Sequence, residues 1–532
     1  MTDAPARLTV LILGGYGVFG GRLAALLADE PRLTLLIGGR SRGKAEAFRR
    51  SLGGDADIRP TEIDRTRGFP EALARLKPDV VVDASGPFQD YGPAPYGVIE
   101  ACIAQGITYL DLADGSGFVA GIAAFDAAAK ARGIAVLGGA SSAPTLTVAA
   151  VEALSRDMAR LDEVRAGIAP SPYAGVGLGV VRAVAGYAGG PVRLRRGGRP
   201  AIGHGWTESM GYAIAPPGRV PLGRRRFSLV DVPDLTVIPE RWPGLASVWF
   251  GAAPVPDIHH RALNLLAWLR RLRLLPSLSR FAPLFEGAIN RWRWGEARSG
   301  MFVEVSGRGA DGRRLVRSWH LLAEGDDGPR IPAMAAEGIV RNILAGSGPA
   351  PGARSAAGEL SLAEFERLFA RHAIATGRRD GDSGAASRPL YRRLLGEAWD
   401  SLPAPIRAMH DGVLRASGRA EIERGRGLLG RLVGALIGLP AEGRDVPVTV
   451  TFSPVAGGED WRRDFGGRTF HSVQTQGSGR NEWLVLERFG LVTVALAVVV
   501  ADGSLALVPR RDRKSTRLNS SHRMPSRMPS SA

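Results

Sequence analysis

The stretch Leu8-Thr9-Val10-Leu11-Ile12-Leu13-Gly14-Gly15-Tyr16-Gly17-Val18-Phe19-Gly20 decides how the N-terminal part of the chain is read. An apolar run of strand length leads directly into Gly15-x-Gly17-x-x-Gly20, and Arg22 to Leu27 then reads as a helix. Strand, glycine turn and helix in that order aim backbone N–H groups and a helix N-terminus at a pyrophosphate. The first glycine permits the tight turn, the second lets the phosphate approach, and the third lets helix pack on strand. In a chain with 70 glycines the motif alone is weak. Its surroundings give it weight.

Leu33 to Arg40 is a second apolar strand, followed by a helical stretch from Lys44 to Leu52. Ile58 to Asp64 and Asp79 to Ala84 supply a third and a fourth, the latter continuously apolar as a strand buried on both faces requires. Ile107 to Leu112 and Ile134 to Leu137 add two more after Ala-rich helical segments. Strands alternating with helices in this way imply an α/β, Rossmann-type, doubly wound parallel sheet over residues 1–160. A β-α-β domain that binds no nucleotide would not need its glycines at these places.

The end of the second strand bears on which dinucleotide is bound. A carboxylate there holds the ribose 2′-hydroxyl of NAD, whereas an arginine accommodates a 2′-phosphate. Here the strand ends Gly38-Gly39-Arg40-Ser41-Arg42, without a carboxylate. Arg40 can grip a phosphate in a fork and Ser41 can add a hydroxyl, so NADP (NADPH) is favoured over NAD.

The glycine turn, Val80-Val81-Val82-Asp83-Ala84-Ser85-Gly86-Pro87-Phe88, Tyr91-Gly92, Cys102, Gly106 and Tyr109-Leu110-Asp111-Leu112 together resemble the saccharopine dehydrogenase-like NADP-binding oxidoreductases. Ala113-Asp114-Gly115 and Gly138-Gly139-Ala140-Ser141-Ser142-Ala143-Pro144 look like a bacterial branch of that family. The resemblance implies hydride transfer, with Gly14, Gly15, Tyr16, Gly17, Val18, Phe19 and Gly20 around the pyrophosphate and Arg40 and Ser41 at the 2′-phosphate. It implies Asp64 near the adenine and Ser85, Gly86, Pro87 and Phe88 near the nicotinamide. Family members acting on amino acids carry Gly-Glu shortly after Tyr-x-Asp-Leu, where this chain has Asp114-Gly115. That departure speaks against amino-acid chemistry, and the leading expectation for the substrate is a C=N or C=C bond in a small, largely apolar metabolite. A non-catalytic dinucleotide-binding redox sensor or scaffold is the alternative.

Composition sets the outer limits. The net charge of +17 comes almost entirely from arginine, since Lys occurs only at 44, 77, 130 and 514. With abundant Ala, Gly and Pro, this is the signature of a GC-rich bacterial genome rather than of a nucleic-acid binder, and no RNA-binding aromatic motif accompanies it. Cys102, the one cysteine, rules out an internal disulfide, fits a reducing cytoplasm, and reads as a buried core residue. The first apolar run is a strand rather than a signal peptide, and no uncharged apolar stretch is long enough to span a bilayer.

Residues 161–330 read as an inserted substrate or dimerisation-type domain, compatible with a homodimer. Val164 to Val184, Pro191 to Arg195 and Phe227 to Val232 suggest an antiparallel sheet, and Met301–Ser306 and Leu315–Leu322 a hairpin around Gly309-Ala310-Asp311-Gly312. Tyr173, His204, Glu208 and Tyr212 are the acid–base candidates there, chosen only for their Gly-rich, aromatic surroundings. His259-His260 has no third ligand at metal spacing, and no metal site is expected. Arg261 to Arg293 interleaves leucines with arginines and is followed by Trp294, with Trp292 before it. It reads as a lid over an apolar pocket, a helical pair on an anionic membrane surface, or an ordinary packed insertion.

Residues 331–375 read as helices returning to the nucleotide domain, and 376–389 as a Gly- and Ser-rich linker. Residues 390–511 read as a mainly β accessory domain that resembles an uncharacterised domain fused to such dehydrogenases, with its last strands truncated. Its marks are Val446-Pro447-Val448, Trp461 to Arg468 and Glu487-Arg488-Phe489-Gly490, after an apolar helix ending at Gly438-Leu439-Pro440. Residues 512–532, with Arg-Met-Pro-Ser repeated, look like a disordered, non-native tail.

Overall fold

The computed structural model describes residues 7–510 other than 176, 255, 292, 326, 382–387, 413, 423–441, 456 and 490–491. Trp292, the helix ending at Pro440, Gly490 and the 512–532 tail, named above, lie outside the described residues. The chain forms two units. The first comprises the chain to Met210, Arg226–Arg313 and Ala323–Ile374, and the second Gly211–Arg225, Arg314–Leu322 and the chain from Ala375.

The first unit opens with β1 (Leu8–Leu13), α1 (Val18–Leu27), β2 (Leu33–Gly39), α2 (Arg42–Ser51), β3 (Asp57–Glu62), α3 (Phe69–Leu76) and β4 (Val80–Asp83). It continues with α4 (Gly97–Gln105), β5 (Thr108–Asp111), α5 (Ser116–Gly121), α6 (Asp126–Ala131), β6 (Ala135–Gly138) and α7 (Thr147–Ser155). The strands pair in parallel in the order β3-β2-β1-β4-β5-β6, the doubly wound arrangement expected. Leu8 pairs with Leu33 and Leu13 with Gly38, so the glycine turn leaves the sheet level with the end of β2. Leu11, Val81, Ile99, Tyr109 and Val136 are solvent-free in the core that helices and sheet share, and Cys102 is buried among them. Helix α1 begins at Val18, earlier than the sequence suggested, because the N-terminal end is set by Gly17 rather than by the first apolar-periodic residue.

Next come β7 (Arg160–Ala169), α8 (Leu178–Tyr187), β8 (Pro191–Arg196), β9 (Arg199–His204), β10 (Ser209–Tyr212), β11 (Arg225–Leu229), α9 (Asp234–Arg241) and β12 (Ser247–Ala252). Helices α10 (Asp257–Arg271) and α11 (Ala282–Arg291) and strand β13 (Ser299–Arg308) complete the insertion. The sheet is mixed rather than antiparallel: β12 runs parallel to β7, while β13 runs antiparallel to it. Leu178 to Val184 is helix and not strand, since Val181 and Ala185 recur at helical spacing on its buried face. Of the segment read as returning helices, α12 (Ile331–Leu344) packs on the unit and α13 (Leu362–Phe369) is closed by a Ser361–Glu364 capping box. Between them β15 (Gly352–Ser355) adds a seventh parallel strand beside β6, from four residues with no apolar signal.

In the second unit the supposed linker is structured through residue 381. Strand β16 (Ile374–Asp380) lies beside β14 (Arg314–Ala323), and Gly381 N donates to Val316 O at 2.8 Å. Arg379, buried, donates to Ala215 O at 2.6 Å and Leu394 O at 2.8 Å, and its guanidinium lies 4.0 Å from the centre of the Trp483 ring. Burial pushes its pKa down to about 9. Helices α14 (Leu390–Leu395) and α15 (Ala404–His410) precede a meander of seven antiparallel strands between Leu414 and Pro509, paired in chain order. The first of these, Leu414–Ile422, and the last, Ser504–Pro509, were not anticipated. Tyr391, Trp399 and Val485 are buried in the core beneath it.

Asp111 ties the ends of two parallel strands together. Its Oδ1 accepts from Ala113 N at 2.9 Å and Gly139 N at 2.7 Å, while burial raises its pKa to about 7. The unfolded value is about 3.9, so the group's contribution to stability is fully present below about pH 4 and is lost as pH rises through about 7. Asp111→Asn keeps an acceptor for both amides and has no proton to lose. Urea midpoints from pH 5 to 8.5 are therefore expected to decline in the parent protein and to decline less in the variant; parallel declines would remove Asp111 as the cause.

Candidate functional site

A cavity of about 1010 Å³ runs through the first unit from the glycine turn to helices α8, α10 and α11. At the turn, Gly14 has φ +70° and its carbonyl accepts from Gly17 N at 2.8 Å, while Gly15 N donates to Gly38 O at 2.9 Å. A Cβ on Gly17 would stand 2.9 Å from Gly14 O, so the turn tolerates no side chain there. Gly14, Tyr16, Gly17, Val18 and Phe19 line the cavity; Gly15 and Gly20 lie behind them and hold the turn against sheet and helix. The first turn of α1 thus faces the cavity with N–H groups that no carbonyl in the helix can satisfy.

Tyr16 links the turn to the end of β2. Its ring lies over Gly39, where a Cβ would come 2.6 Å from the tyrosine oxygen, and its hydroxyl accepts from Ser41 N at 3.1 Å. The glycine before Arg40 is therefore required by the tyrosine of the turn. Arg40 lines the cavity with an exposed guanidinium and lies near enough to Asp64 to favour that carboxylate's charged form. Backbone and side-chain hydrogen bonds from Thr66, 2.9 and 2.7 Å from Asp64 Oδ1, are the larger causes of the lowered Asp64 pKa. Ser41 does not line the cavity; its Oγ caps α2 by accepting from Lys44 N at 3.4 Å.

At the same end of the sheet, on the neighbouring strand β4, Asp83 pairs with Leu13 and organises the next loop. Its carboxylate accepts from Ser85 N at 2.9 Å, from Ser85 Oγ at 2.7 Å and from the Tyr91 hydroxyl. Phe88 stacks on Tyr91 with ring centres 5.0 Å apart, and Arg65 covers Tyr91 at 3.6 Å. Ser85, Gly86, Pro87 and Phe88 all line the cavity, as the resemblance implies.

The acid–base candidates from the sequence do not line it. Tyr173 is 47% exposed, Glu208 is ion-paired with Arg196, and His204 ends β9 away from the cavity wall. Tyr212 stacks on His320 in the second unit. Aromatic, Gly-rich surroundings marked sheet edges and turns here, not a site.

Beyond the residues of the turn and of the β2 and β3 ends, Asp114, Asp231, Tyr187 and His259 face the cavity with ionisable groups. Asp114 keeps surface open to the cavity and accepts from Gln89 Nε2 at 3.0 Å; dense surrounding protein raises its pKa, and the Asp231 carboxylate adds to the rise. Burial likewise raises Asp231, whose Oδ1 accepts from Ser116 Oγ at 2.7 Å. The Tyr187 hydroxyl is raised by burial and by both carboxylates. Two signals could have found them: the departure at Asp114-Gly115, and a lone carboxylate between Val230 and Val232. Beyond them the wall is apolar, formed by Val181, Val184, Phe250, Leu263, Leu266 and Phe285 among others. His259 belongs to this wall; His260 is structural, its Nε2 2.7 Å from Ser228 Oγ.

Residues 10–137 match the family model of the saccharopine dehydrogenase NADP-binding domain, and residues 402–529 match a domain of unknown function, DUF4166. That second match runs into the segment set apart above as a tail. Among curated proteins no sequence matches the chain. Among solved structures, apo saccharopine dehydrogenase (L-Glu forming) of Saccharomyces cerevisiae is similar at a TM-score of 0.50 and 12% identity, over 70% of this chain and all 100% of that one. GenD2 from gentamicin A biosynthesis, in complex with NAD, covers 70% of this chain and 96% of its own at 16% identity and a TM-score of 0.34. The WlbA (WbpB) dehydrogenase of Thermus thermophilus, with NAD and alpha-ketoglutarate, covers 68% and 92% at 13% identity and a TM-score of 0.29. The likeness to the Saccharomyces cerevisiae structure is one of fold. The chain thus joins a saccharopine dehydrogenase-type NADP-binding domain, the nucleotide half of a dinucleotide-dependent oxidoreductase, to a domain of unknown function.

Proposed function

We propose that the protein transfers hydride between NADP(H) and a C=N or C=C bond of a small, largely apolar metabolite, with Asp114 carrying the proton. The observation that supports this most is the continuity of the cavity, which joins the glycine turn and Arg40 to the apolar wall of α8, α10 and α11. The residues fit the cofactor: a turn that admits no side chain, an open helix N-terminus, and a cation with no carboxylate at the end of β2. When bound, the nicotinamide supplies the hydride; the chain's residues bind, orient and manage the proton.

In reduction, the carbon of the double bond gains the hydride and its partner nitrogen or carbon gains a proton. The raised pKa of Asp114 favours the protonated carboxyl that a proton donor needs, and Gln89 fixes its orientation. The neighbouring Asp231 carboxylate adds to the rise and so favours the protonated form of Asp114. The apolar wall excludes water and selects a substrate without charge.

Three outcomes are expected. NADPH should bind more tightly than NADH by about 1–3 kcal/mol, the scale of a charge-assisted phosphate contact, and Arg40→Ala should level the two. Fluorescence titration of both cofactors checks this, and an unchanged preference in the variant would refute it. Gly17→Val should lose both dinucleotides while its far-UV circular dichroism stays that of the parent. For the reaction, NADPH oxidation followed by absorbance across apolar imines and enones should show turnover that falls as pH rises through the Asp114 pKa. Asp114→Asn should lower kcat by roughly 10²–10⁴ with little change in KM. Binding without turnover across the panel would favour the sensor reading instead.

A further inference from the structure

Helix α10 presents three faces at roughly 100° per residue. His260, Asn264 and Ala267 face the sheet; Asn264 Nδ2 donates to Trp206 O at 2.6 Å and Ala267 is fully buried. His259, Ala262, Leu263 and Leu266 face the cavity. The third stripe, Ile258, Leu265, Trp268 and Leu272 just past the helix end, turns away from both and stands 61%, 61%, 43% and 61% exposed. The neighbouring helix repeats the division, with Phe285 and Ile289 on the cavity and Leu284 70% exposed. Among the described residues, twelve large apolar side chains stand exposed, and eight of them fall between Ile258 and Trp294. An apolar concentration of this kind is unusual on a surface that meets only water.

The same stretch carries seven arginines, at 261, 270, 271, 273, 280, 291 and 293, against one carboxylate, Glu286, with Asp257 just before it. Arg270 is engaged in the fold, donating to Gly186 O and Ala188 O at 2.7 Å each. Arg271 lies over the Trp268 ring at 4.8 Å, cation and aromatic side by side on the outer face. A second copy of the chain would bring the same positive charge against this one. An anionic bilayer offers negative headgroups to the arginines and an apolar interior to the leucines and tryptophans in one surface.

We infer that the outer face of α10 and α11 docks on an anionic lipid surface, with Leu265, Trp268, Leu272 and Leu284 entering the headgroup region and the arginines around them pairing with lipid charge. The cavity wall is the inner face of the same two helices, so an apolar ligand would meet the protein where it touches the membrane. Docking is read by binding alone and stands or falls apart from turnover.

The full chain is mixed with large unilamellar vesicles of phosphatidylcholine, alone or with phosphatidylglycerol, and sedimented. It should pellet with the anionic vesicles, be released by about 0.5 M salt, and stay in solution with neutral ones. Leu265→Asp with Trp268→Asp, both clear of the cavity, should weaken vesicle binding about tenfold or more while dinucleotide affinity and circular dichroism hold. Arg271→Glu with Arg273→Glu should do the same on anionic vesicles only. Failure of the parent to pellet at low salt, or full binding by both variants, would overturn the proposal. So would a dimer in sedimentation equilibrium that Leu265→Asp with Trp268→Asp dissociates, which would assign the face to a second copy.

Discussion

The approach of backbone to backbone within Gly14–Gly20 is the constraint on which the rest of the first unit depends. Gly14 O takes the amide of Gly17, and the Cα of Gly20 lies so close to it that no side chain fits. That contact fixes where α1 starts, which in turn fixes which amides face the cavity. Tyr16 then carries the constraint sideways to Gly39 and Ser41, so that the end of β2, and with it Arg40, is placed by a residue of the first turn. A change at any of these positions would be felt both at the turn and at Arg40.

The cavity brings two kinds of surface together, and each sharpens the other. Protein packed around Asp114 and Asp231 is the leading cause of their raised pKa values, although Asp114 keeps surface open to the cavity. Gln89 and Ser116 satisfy one oxygen of each carboxyl, so the acids are oriented rather than merely buried. The residues that line the apolar part of the cavity thus surround the two carboxyls as well.

The sheet order, the strand ends and the cofactor loop were legible because each rests on a local rule. Glycine spacing after an apolar run, continuous Val80-Val81-Val82, and an arginine where a carboxylate is customary all act within a few residues of themselves. Asp114, Asp231 and Tyr187 could be flagged singly at most, because they meet only through tertiary packing across widely separated segments. Tyr173, His204 and Glu208 failed for the complementary reason: local composition says nothing about which way a strand edge faces. Leu178–Tyr187 misled because small apolar residues with interspersed Gly satisfy strand and helix patterns alike, and packing against the cavity settles the matter. Gly352–Ser355 carries no strand signal at all; its place beside β6 comes from the sheet edge that is waiting for it.

The buried guanidinium of Arg379 has a consequence for how the chain is made. Its partners include Ala215, which leaves the ribosome long before the strands of the C-terminal meander do. Gly211–Arg225 and Arg314–Leu322 belong to a unit most of which is synthesised after Ala375. The nucleotide-binding sheet, apart from its late seventh strand, draws on contiguous residues and can begin to assemble during translation, whereas the second unit must hold two early segments in waiting. Its closure is a long-range event and therefore a slow one. Premature termination before the meander would leave those two segments without the core they were built to join.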